Sequence, residues 1–313
     1  MAEAEGDSPR ADAARLLAPD FPGRDRYDVT LLAAGRRGRV AAIVNPHLRD
    51  DTGRPIGLLG AYACVDDDAV AAELLAAGCA HLRARGCARV CGPIALSTWH
   101  LCRFTTAGDD AGWVPGDPDN PPRAPRQWQA AGFERIARYC SNWLPDPESI
   151  AARFAPRARD AERNGYRVRR LRAADAGSLY EVALAAFSRA FLFAPIDRDE
   201  FDALYPPEWI AAGEATSPVA IGPAGDIAGF FFTFPATVAG RRTLVGKTLA
   251  VAPAHRGRGV YELIMHAWLR IGLAAGYDHF AGWLMHADGP PARMGWARPE
   301  TCIKEYALYG RSV

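Results

Sequence analysis

Hydrophobic and polar residues follow a regular order between Thr243 and Asp288. The stretch TLVGKTLAV, residues 243–251, is rich in β-branched and apolar residues and predicts a strand, and HFAGWLM, residues 279–285, predicts another. Between them a turn of glycine and arginine opens into a segment whose apolar residues recur at helical spacing. These apolar residues are Leu263, Ile264, Ala267, Trp268 and Ile271. The pattern predicts a strand, a glycine turn, a helix and a second strand.

The rest of the chain carries similar patterns in two successive halves. In the first half, GRVAAIV, IGLLGAYACV and ARVCGPI predict strands, and an amphipathic helix follows the acidic triplet Asp66-Asp67-Asp68. In the second half, YRVRRL, PVAIGP and IAGFFFTFPA predict strands, and a helix begins at Asp175. Strands that alternate with helices in this way predict an α/β fold with a mixed sheet.

Prolines mark the boundary between the two halves. Pro145, Pro147 and Pro156 interrupt the stretch that joins them. We therefore expect a flexible N-terminal segment over residues 1–25, a first domain over residues 26–150 and a second domain over residues 151–313. Each domain is predicted to hold a mostly antiparallel sheet with helices on both faces.

Composition narrows the class of protein. The 313 residues carry a net charge of +1, which argues against nucleic acid as a bulk electrostatic partner. No apolar run is long enough to span a membrane, and the first residues lack the apolar core of a signal peptide, so the cytoplasm is the expected location. The seven cysteines include Cys79, Cys87 and Cys91 near His81, but no second ligand pair follows, so we expect buried thiols and no metal site.

The turn before the predicted helix has the residues of an anion site. In Arg256-Gly257-Arg258-Gly259, the glycines allow the backbone to approach a ligand, and the arginines add positive charge. The first N–H groups of a helix have no intrahelical acceptor and lie at the positive end of the helix dipole. The pattern therefore predicts a site for a pyrophosphate. The alternative is an exposed turn without a ligand.

Together with its flanking elements, this turn resembles a known signature. The run Val251-x-Pro253-x-x-Arg256-Gly257-x-Gly259-Val260 is similar to the acetyl-CoA-binding motif of the GCN5-related N-acetyltransferases (GNAT), Gln/Arg-x-x-Gly-x-Gly/Ala. Tyr261 stands where the motif ends in a small residue. The resemblance implies two tandem GNAT-type domains and an acyl-CoA as cofactor. A dinucleotide-binding Rossmann unit is disfavoured, because the glycine spacing differs and no acidic residue ends the next strand.

The resemblance also implies which residues bind the acyl-CoA. A backbone N–H near the end of the first strand would donate to the thioester carbonyl, and the N–H groups of the turn would hold the pyrophosphate. The implied residues are Leu249, Ala250, Val251, Arg256, Gly257, Arg258, Gly259, Val260 and Tyr261.

The first half lacks this loop. At the equivalent junction the acidic triplet Asp66-Asp67-Asp68 would repel a pyrophosphate, so we interpret the first half as a degenerate copy. Its run GPIALSTWHLCRF resembles the first half of bacterial two-lobed GNAT-like proteins. Two interpretations of this run stay open, an acceptor pocket and a structural corner between a strand and a loop. The pocket residues would be Ser97, Thr98, Trp99, His100 and Arg103. The proline-rich loop from Thr105 to Arg126 is a candidate lid or binding segment, and the alternative is a disordered segment.

The catalytic base is the open question. The glutamate of the histone-acetyltransferase branch is absent from the strand that contains Lys247. His286 and Asp288, just past the second strand, are candidates for the base, and their alternative is a polar strand end. Tyr306 is the candidate for protonating the thiolate, although it alternates with Tyr309 along a strand and one of the two is expected to be core.

Aromatic residues suggest a roomy acceptor site. The run Phe230–Phe234, with Phe187, Phe191 and Phe193, would pack the core or line a site for an apolar acyl chain. The leading hypothesis is an N-acyltransferase that moves an acyl group, by preference acetyl, from acyl-CoA to a small-molecule amine by direct attack. The alternatives are an acyltransferase that takes its donor from an acyl carrier protein, and a non-catalytic GNAT-fold protein that binds CoA or a metabolite.

Overall fold

The computed structural model describes the backbone of residues 9–313, and their side chains except those of residues 9–12, 109, 292 and 293. Within this part of the chain there are twelve strands and nine α-helices. The strands are β1 (Asp28–Ala33), β2 (Gly38–Arg49), β3 (Pro55–Cys64), β4 (Arg89–Gly92), β5 (Phe104–Ala107), β6 (Glu134–Trp143), β7 (Arg167–Arg170), β8 (Pro218–Ile221), β9 (Ile227–Val238), β10 (Arg241–Val251), β11 (His279–His286) and β12 (Cys302–Ser312). The helices are α1 (Pro9–Leu17), α2 (Asp68–Arg83), α3 (Arg123–Ala130), α4 (Pro147–Arg163), α5 (Ala176–Phe187), α6 (Arg198–Leu204), α7 (Pro207–Glu214), α8 (Val260–Ala274) and α9 (Pro290–Arg293).

The strands form one continuous mixed sheet. Their order is β1-β2-β3-β4-β12-β6-β11-β10-β9-β8-β7, and β5 pairs with β12 outside this path. Two pairs of strands are parallel, β3 with β4 and β10 with β11, and each pair is connected through a helix. The other strand pairs of the described sheet are antiparallel. The predicted mixed α/β fold is confirmed, and the same strand–helix–strand unit occurs once in each half.

The two halves exchange their last strands. Strand β12, at the C-terminus, lies between β4 and β6 of the first half, with Tyr309 opposite Gly92 and Tyr306 opposite Tyr139. Strand β6, the last of the first half, pairs in turn with β11, where Ala281 is opposite Trp143. The predicted boundary at residue 150 divides the sequence, whereas the sheet continues across it because each half borrows a strand from the other.

Helices cover both faces of the sheet, as the sequence predicts. In the second half, α4 and α8 share a core with Phe231 and Phe280, and α5, α6 and α7 pack on the opposite face around Phe232. In the first half, α2 and α3 cover one face around Trp128. Leu16 of α1 joins the core on the other face.

The N-terminal segment is more structured than expected. Leu16 and Phe21 are each only 6% exposed, and they pack with Tyr27 against the first half. The expected flexibility of residues 1–25 is therefore not seen from Ala13 onward, because the apolar side chains of this stretch are buried. Residues 1–8 lie outside the described part of the chain.

Candidate functional site

Strands β10 and β11 separate part-way along their length. They pair in parallel from Thr243 opposite His279 to Gly246 opposite Gly282, and their register ends there. Beyond this point each strand has an irregularity against its other neighbour, between Gly246 and Thr248 in β10 and between Gly282 and Met285 in β11. A β-bulge bends and twists its strand, so the two irregularities open a wedge between the strands.

Glycine is required where the wedge begins. A Cβ atom on Gly246 would lie 2.1 Å from the Cζ atom of Phe231, a ring that is buried between the sheet and α8. Only a residue without a side chain fits at this distance. A Cβ atom on Gly282 would meet the flexible side chain of Met285 instead. The tighter constraint is therefore on β10, the strand that leads into the glycine turn.

The turn ends at Gly259, directly before α8. Gly257 and Gly259 have φ angles of 72° and 79°, which favour glycine. A Cβ atom on Gly259 would lie 2.9 Å from the carbonyl oxygen of Arg157, so this glycine also lets α8 approach α4. Within the described part of the chain, no side chain caps the first turn of α8. Its N–H groups therefore remain available to an anion.

The two arginines of the turn differ in their contacts. Arg256 donates from Nη2 to the carbonyl oxygen of Ala186 at 2.8 Å and from Nε to that of Val251 at 3.3 Å, so its side chain holds the turn in place. Arg258 is exposed and lines a small pocket of about 380 Å³ together with Arg157 and Arg163 of α4. Positive charge beside the turn therefore comes from Arg258 and from α4.

Tyr261, which departs from the GNAT motif, packs toward α4. Its hydroxyl accepts a hydrogen bond from Nε1 of Trp296 at 2.7 Å, and its ring makes an edge contact with Phe154. Burial raises the pKa of this hydroxyl to about 12. The tyrosine is held by these neighbours at the edge of the turn.

The wedge and the turn open into one cleft of about 1440 Å³. Eight of the nine implied acyl-CoA residues line it, and Arg258 lies in the neighbouring small pocket. The eight are Leu249, Ala250, Val251, Arg256, Gly257, Gly259, Val260 and Tyr261. The first half contributes Thr98, Trp99, His100 and Arg103 to the same cleft, although these residues are distant in sequence. The cleft is thus built from both halves.

His286 lines the cleft and Asp288 does not. Burial lowers the pKa of His286 below its ordinary value of 6.5, although the nearby Asp288 acts in the other direction. The backbone N–H of Asp288 donates to Nδ1 of His286 at 3.2 Å, so the proton of the neutral ring sits on Nε2. The carboxylate of Asp288 is exposed and paired with Arg138 at 2.9 Å, and this contact holds its pKa below the usual range. Asp288 orients His286 through its backbone.

Tyr306 lies behind the wedge, outside the set of cleft-lining residues. It is 1% exposed, and its hydroxyl donates to Oδ1 of Asp117 at 3.0 Å and lies 2.9 Å from Oγ of Ser141. Burial, together with the charge of Asp117, raises the pKa of this hydroxyl far above its ordinary value. Tyr309 points to the opposite face and packs against Trp128. Both tyrosines of the strand are therefore buried.

The loop from Thr105 to Arg126, a candidate lid in sequence, provides the centre of this buried network. Asp117 is 1% exposed and accepts hydrogen bonds from Nε1 of Trp283 at 2.6 Å and from Nζ of Lys304 at 2.7 Å. The carboxylate therefore ties the loop to β11 and β12. Its sequence context, Gly-Asp-Pro-Asp-Asn, is that of an ordinary turn, so no local signal marks Asp117.

His100 belongs to a second buried network. Its Nδ1 lies 2.8 Å from Oγ of Ser97, and its Nε2 lies 3.1 Å from Oε1 of Glu200 in α6. Glu200 also accepts hydrogen bonds from Tyr27 at 2.6 Å and Arg26 at 2.9 Å. Burial acts to raise the pKa of Glu200, but the bonds from His100 and Tyr27 outweigh it, so this pKa lies below its ordinary value. The network joins the two halves beside the cleft.

Two further side chains in the cleft were not selected as site candidates from sequence. Tyr205, which follows α6, places its hydroxyl 3.3 Å from Oγ1 of Thr248 on β10, and burial raises its pKa. Lys247, at the irregularity of β10, lies 4.1 Å from the ring centroid of Trp209. Both contacts join β10 to the segment around α6 and α7, whose position is set by the tertiary fold.

The corresponding region of the first half is closed. The side chain of Asp67 accepts hydrogen bonds from the N–H groups of Ala69 and Val70, so the start of α2 is capped by its own chain. A Cβ atom on Gly60 would lie 2.3 Å from the carbonyl oxygen of Ile94, which shows that chain fills the space beside β3. Among the described residues of the first half, the start of α2 is therefore capped and the space beside β3 is filled.

Comparison with known proteins identifies the fold. No protein-family profile matches the chain, and no curated protein matches it in sequence. A probable N-acyltransferase from Enterococcus faecalis V583 superposes with a TM-score of 0.53 at 12% identity, covering 99% of this chain and 66% of that one. The glucosamine N-acetyltransferase region of a fungal multi-domain GH3 β-N-acetylglucosaminidase gives 0.51 at 13% identity, over 96% of this chain and 34% of that chain.

This chain has the GNAT fold. A tandem GNAT protein from the clavulanic acid biosynthesis pathway, solved without acetyl-CoA, also matches, with a TM-score of 0.48 at 14% identity over 92% of this chain and 83% of that one. Within residues 9–313, no cluster of three or more His, Cys, Asp or Glu side chains is arranged to hold a metal ion. Over the same residues, no helix combines the length and apolar character needed to cross a membrane.

Proposed function

We propose that this GNAT-fold protein is an N-acyltransferase that moves an acyl group, by preference acetyl, from acyl-CoA to an amine by direct attack while both substrates are bound. One observation carries the proposal. The uncapped start of α8 and the wedge between β10 and β11 open into the same cleft, so one elongated ligand can contact both. The equivalent features of the first half are closed, which supports a donor site in the second half.

The chain's residues fit the parts of an acyl-CoA. The N–H groups from Gly257 to Tyr261 suit the pyrophosphate, whereas that of Arg256 donates to the carbonyl oxygen of Pro253. Arg258 and Arg157 lie nearby as additional positive charge. The edge of β10 from Leu249 to Val251, which has separated from β11, offers backbone hydrogen-bonding groups to the pantetheine arm. When bound, the acyl-CoA supplies an activated thioester.

Two cleft residues suit the proton transfers. His286 has a lowered pKa and is therefore unprotonated at neutral pH, so we assign it as the acceptor of the amine proton at Nδ1, where only a 3.2 Å contact from Asp288 competes. Tyr205 has a raised pKa and therefore keeps its proton, and it lies beside β10. We propose Tyr205 as the donor to the leaving thiolate, because Tyr306 lies outside the cleft lining and its hydroxyl is bound to Asp117.

Calorimetric titration with acetyl-CoA tests the donor site. Arg258→Glu places a negative charge beside the proposed pyrophosphate position, and Arg270→Glu makes the same change on an exposed residue near the other end of α8. We expect wild type and Arg270→Glu to bind alike and Arg258→Glu to bind about tenfold more weakly, ~1.4 kcal/mol. Equal binding by all three proteins would place the cofactor elsewhere.

Tyr261 favours the carrier-protein alternative, because it places a large side chain in the cleft where the acetyl-CoA motif ends in a small residue. A donor held on a carrier protein would use the wedge and would need less of the pyrophosphate site. Failure of wild type to bind free acetyl-CoA, combined with acyl transfer from an acyl carrier protein, would support this alternative. Binding of acetyl-CoA without transfer to any amine would support a non-catalytic role.

A further inference from the structure

Arg103 occupies an unusual position in the cleft. It directly follows Cys102, whose backbone forms an isolated antiparallel β-bridge with Ile94. The backbone N–H of Arg103 donates to the carbonyl oxygen of Pro93 at 2.9 Å. Its φ angle is 82°, in the left-handed region that costs a residue with a side chain about 1 kcal/mol or more. Such backbone strain is often found at functional sites. The tight corner from Pro93 to Arg103 fixes where this arginine leaves the backbone.

Among the described residues, no carboxylate forms an ion pair with the guanidinium group of Arg103. It stacks 4.0 Å above the ring of Tyr139, and its buried Nε has no hydrogen-bond partner within the described part of the chain. Burial acts to lower the pKa of Arg103, and the neighbours that raise it are Cys102, Tyr139 and Tyr306, none of which is a carboxylate. A half-buried cation that has no carboxylate partner among the described residues is costly, and an anion that enters the cleft would offset this cost.

The surroundings of Arg103 define the side from which this anion would enter. The ring of His286 lies edge-on to the rings of Tyr139 and Phe191, with distances between ring centroids of 4.9 Å and 6.3 Å. These three residues therefore form one wall of the cleft. Arg103 and Tyr139 come from the first half and His286 from the second. The charge of Arg103 is also one of the causes that lower the pKa of His286, after burial.

The position of Arg103 separates it from the proposed donor phosphates. Arg103 stacks on Tyr139, which packs in the core that contains Leu16 of α1 and Leu192. Tyr261 and the glycine turn adjoin a different core, which is formed by α4 and α8. The overall charge of the cleft agrees with an anionic ligand on each side. Among the described residues that line it, six are lysine or arginine and two are glutamate.

We propose that the acceptor is an amine that also carries a carboxylate, and that Arg103 binds this carboxylate. The inference rests on the proposed function for the amine, and on Arg103 alone for the acid group. The planar fork of arginine matches a carboxylate with two parallel hydrogen bonds, while the stacked Tyr139 holds the fork in plane. A carboxylate bound here lies beside His286, so the amine of the same molecule can reach the imidazole that takes its proton.

Paired ligands that differ only in the acid group test the inference without any acyl donor. The probes are phenylacetate with phenylacetamide and hexanoate with hexanamide, titrated into wild type by calorimetry at low salt. We expect at least one carboxylate to bind at least tenfold more tightly than its amide. Binding of both amides as tightly as their acids would overturn the proposal.

Variants test whether Arg103 is the residue that causes the preference for the carboxylate over the amide. Arg103→Gln removes the charge, and Arg189→Gln makes the same change at an exposed arginine of the cleft. We expect the preference for the acid to disappear in Arg103→Gln and to persist in Arg189→Gln. Arg103→Lys keeps the charge without the planar fork, and it should retain only part of the preference for the acid. This variant replaces Arg103→Gln in the test if Arg103→Gln does not fold. Persistence of the full preference in either Arg103 variant would contradict the proposal.

A second measurement locates the bound acid. The imidazole of His286, followed by NMR during a pH titration, should show a higher pKa when the carboxylate is present, because the anion offsets the charge of Arg103. An unchanged His286 pKa at saturating carboxylate would place the anion elsewhere. These titrations contain no CoA. A failure of acetyl-CoA binding with an intact acid preference would therefore remove free acyl-CoA as the donor and leave the anion site.

Discussion

The hydroxyl of Tyr306 donates a hydrogen bond to Oδ1 of Asp117 across 189 residues of sequence. The contact joins β12 to the loop that follows β5, and the same carboxylate accepts a hydrogen bond from Nε1 of Trp283 on β11. It therefore connects the exchanged strand, a first-half loop and one side of the wedge. Tyr306 acts here as a buried structural group, and its proposed role in proton transfer passes to Tyr205.

Replacement of Tyr306 by phenylalanine tests this assignment. Tyr306→Phe removes the hydrogen bond to Asp117, so we expect a loss of about 1–2 kcal/mol in the free energy of unfolding, measured by denaturant titration. Tyr309→Phe is the control, because the described residues supply no hydrogen bond to its hydroxyl. A fall in kcat of a hundredfold or more with unchanged stability would instead identify Tyr306 as a catalytic acid.

The packing at the start of the wedge predicts that alanine substitutions at Gly246 and Gly282 differ in their cost to stability. Gly246→Ala forces a methyl group against the buried ring of Phe231, so we expect a loss of about 1–3 kcal/mol in stability. Gly282→Ala meets first the movable side chain of Met285, at 2.7 Å, and then Trp296 at 3.2 Å, so it should cost less. Thermal unfolding of both variants measures the difference, and an equal or reversed order would contradict the close packing at the start of the wedge.

The Glu200 network predicts a large loss of stability when its centre is removed. Glu200→Ala leaves His100, Tyr27 and Arg26 without their shared carboxylate, and we expect a loss of about 3–5 kcal/mol. Asp199→Ala, an exposed change on the same helix, should be close to neutral. Denaturant unfolding compares the two, and similar stabilities would show that the network adds little.

His286 predicts a pH dependence of stability. Its pKa in the folded protein lies below the value of 6.5 typical of the unfolded chain, so the unfolded state binds a proton more readily. The stability that depends on neutral His286 is therefore present above pH 6.5 and is lost as the pH falls from 6.5 toward the folded pKa. In His286→Gln, Tm should fall less steeply over this range than in wild type. Parallel curves would contradict the lowered pKa.

The strand exchange predicts that the halves depend on each other. A fragment of residues 1–146 lacks β12, which leaves β4 and β6 without the strand between them, and a fragment of residues 147–313 lacks β6. We expect each fragment to be unfolded or aggregated by circular dichroism, and the two to form a soluble complex when co-expressed. Independent folding of either fragment would support two autonomous domains over residues 26–150 and 151–313.

Local signals in the sequence account for much of the second half. The strand before Pro253, the turn from Arg256 to Gly259 and the helix after it are contiguous, so periodicity and turn residues predict them directly. The acidic start of α2 is predicted for the same reason, because Asp67 caps its own helix. The proposed anion site at the start of α8 could be predicted from the sequence, since both the glycines and the helix are local.

The tertiary structure alone decides which side chains share the cleft. Arg103 and His286 lie on opposite halves of the sequence and meet because β6 pairs with β11, and Tyr306 leaves the cleft because β12 enters the first half. Strand order is set by long-range pairing and by burial of apolar faces, which no short stretch encodes. The glycine turn is therefore predictable from the sequence, whereas the proposed acceptor side, where Arg103 has no carboxylate partner among the described residues, exists only in the folded chain.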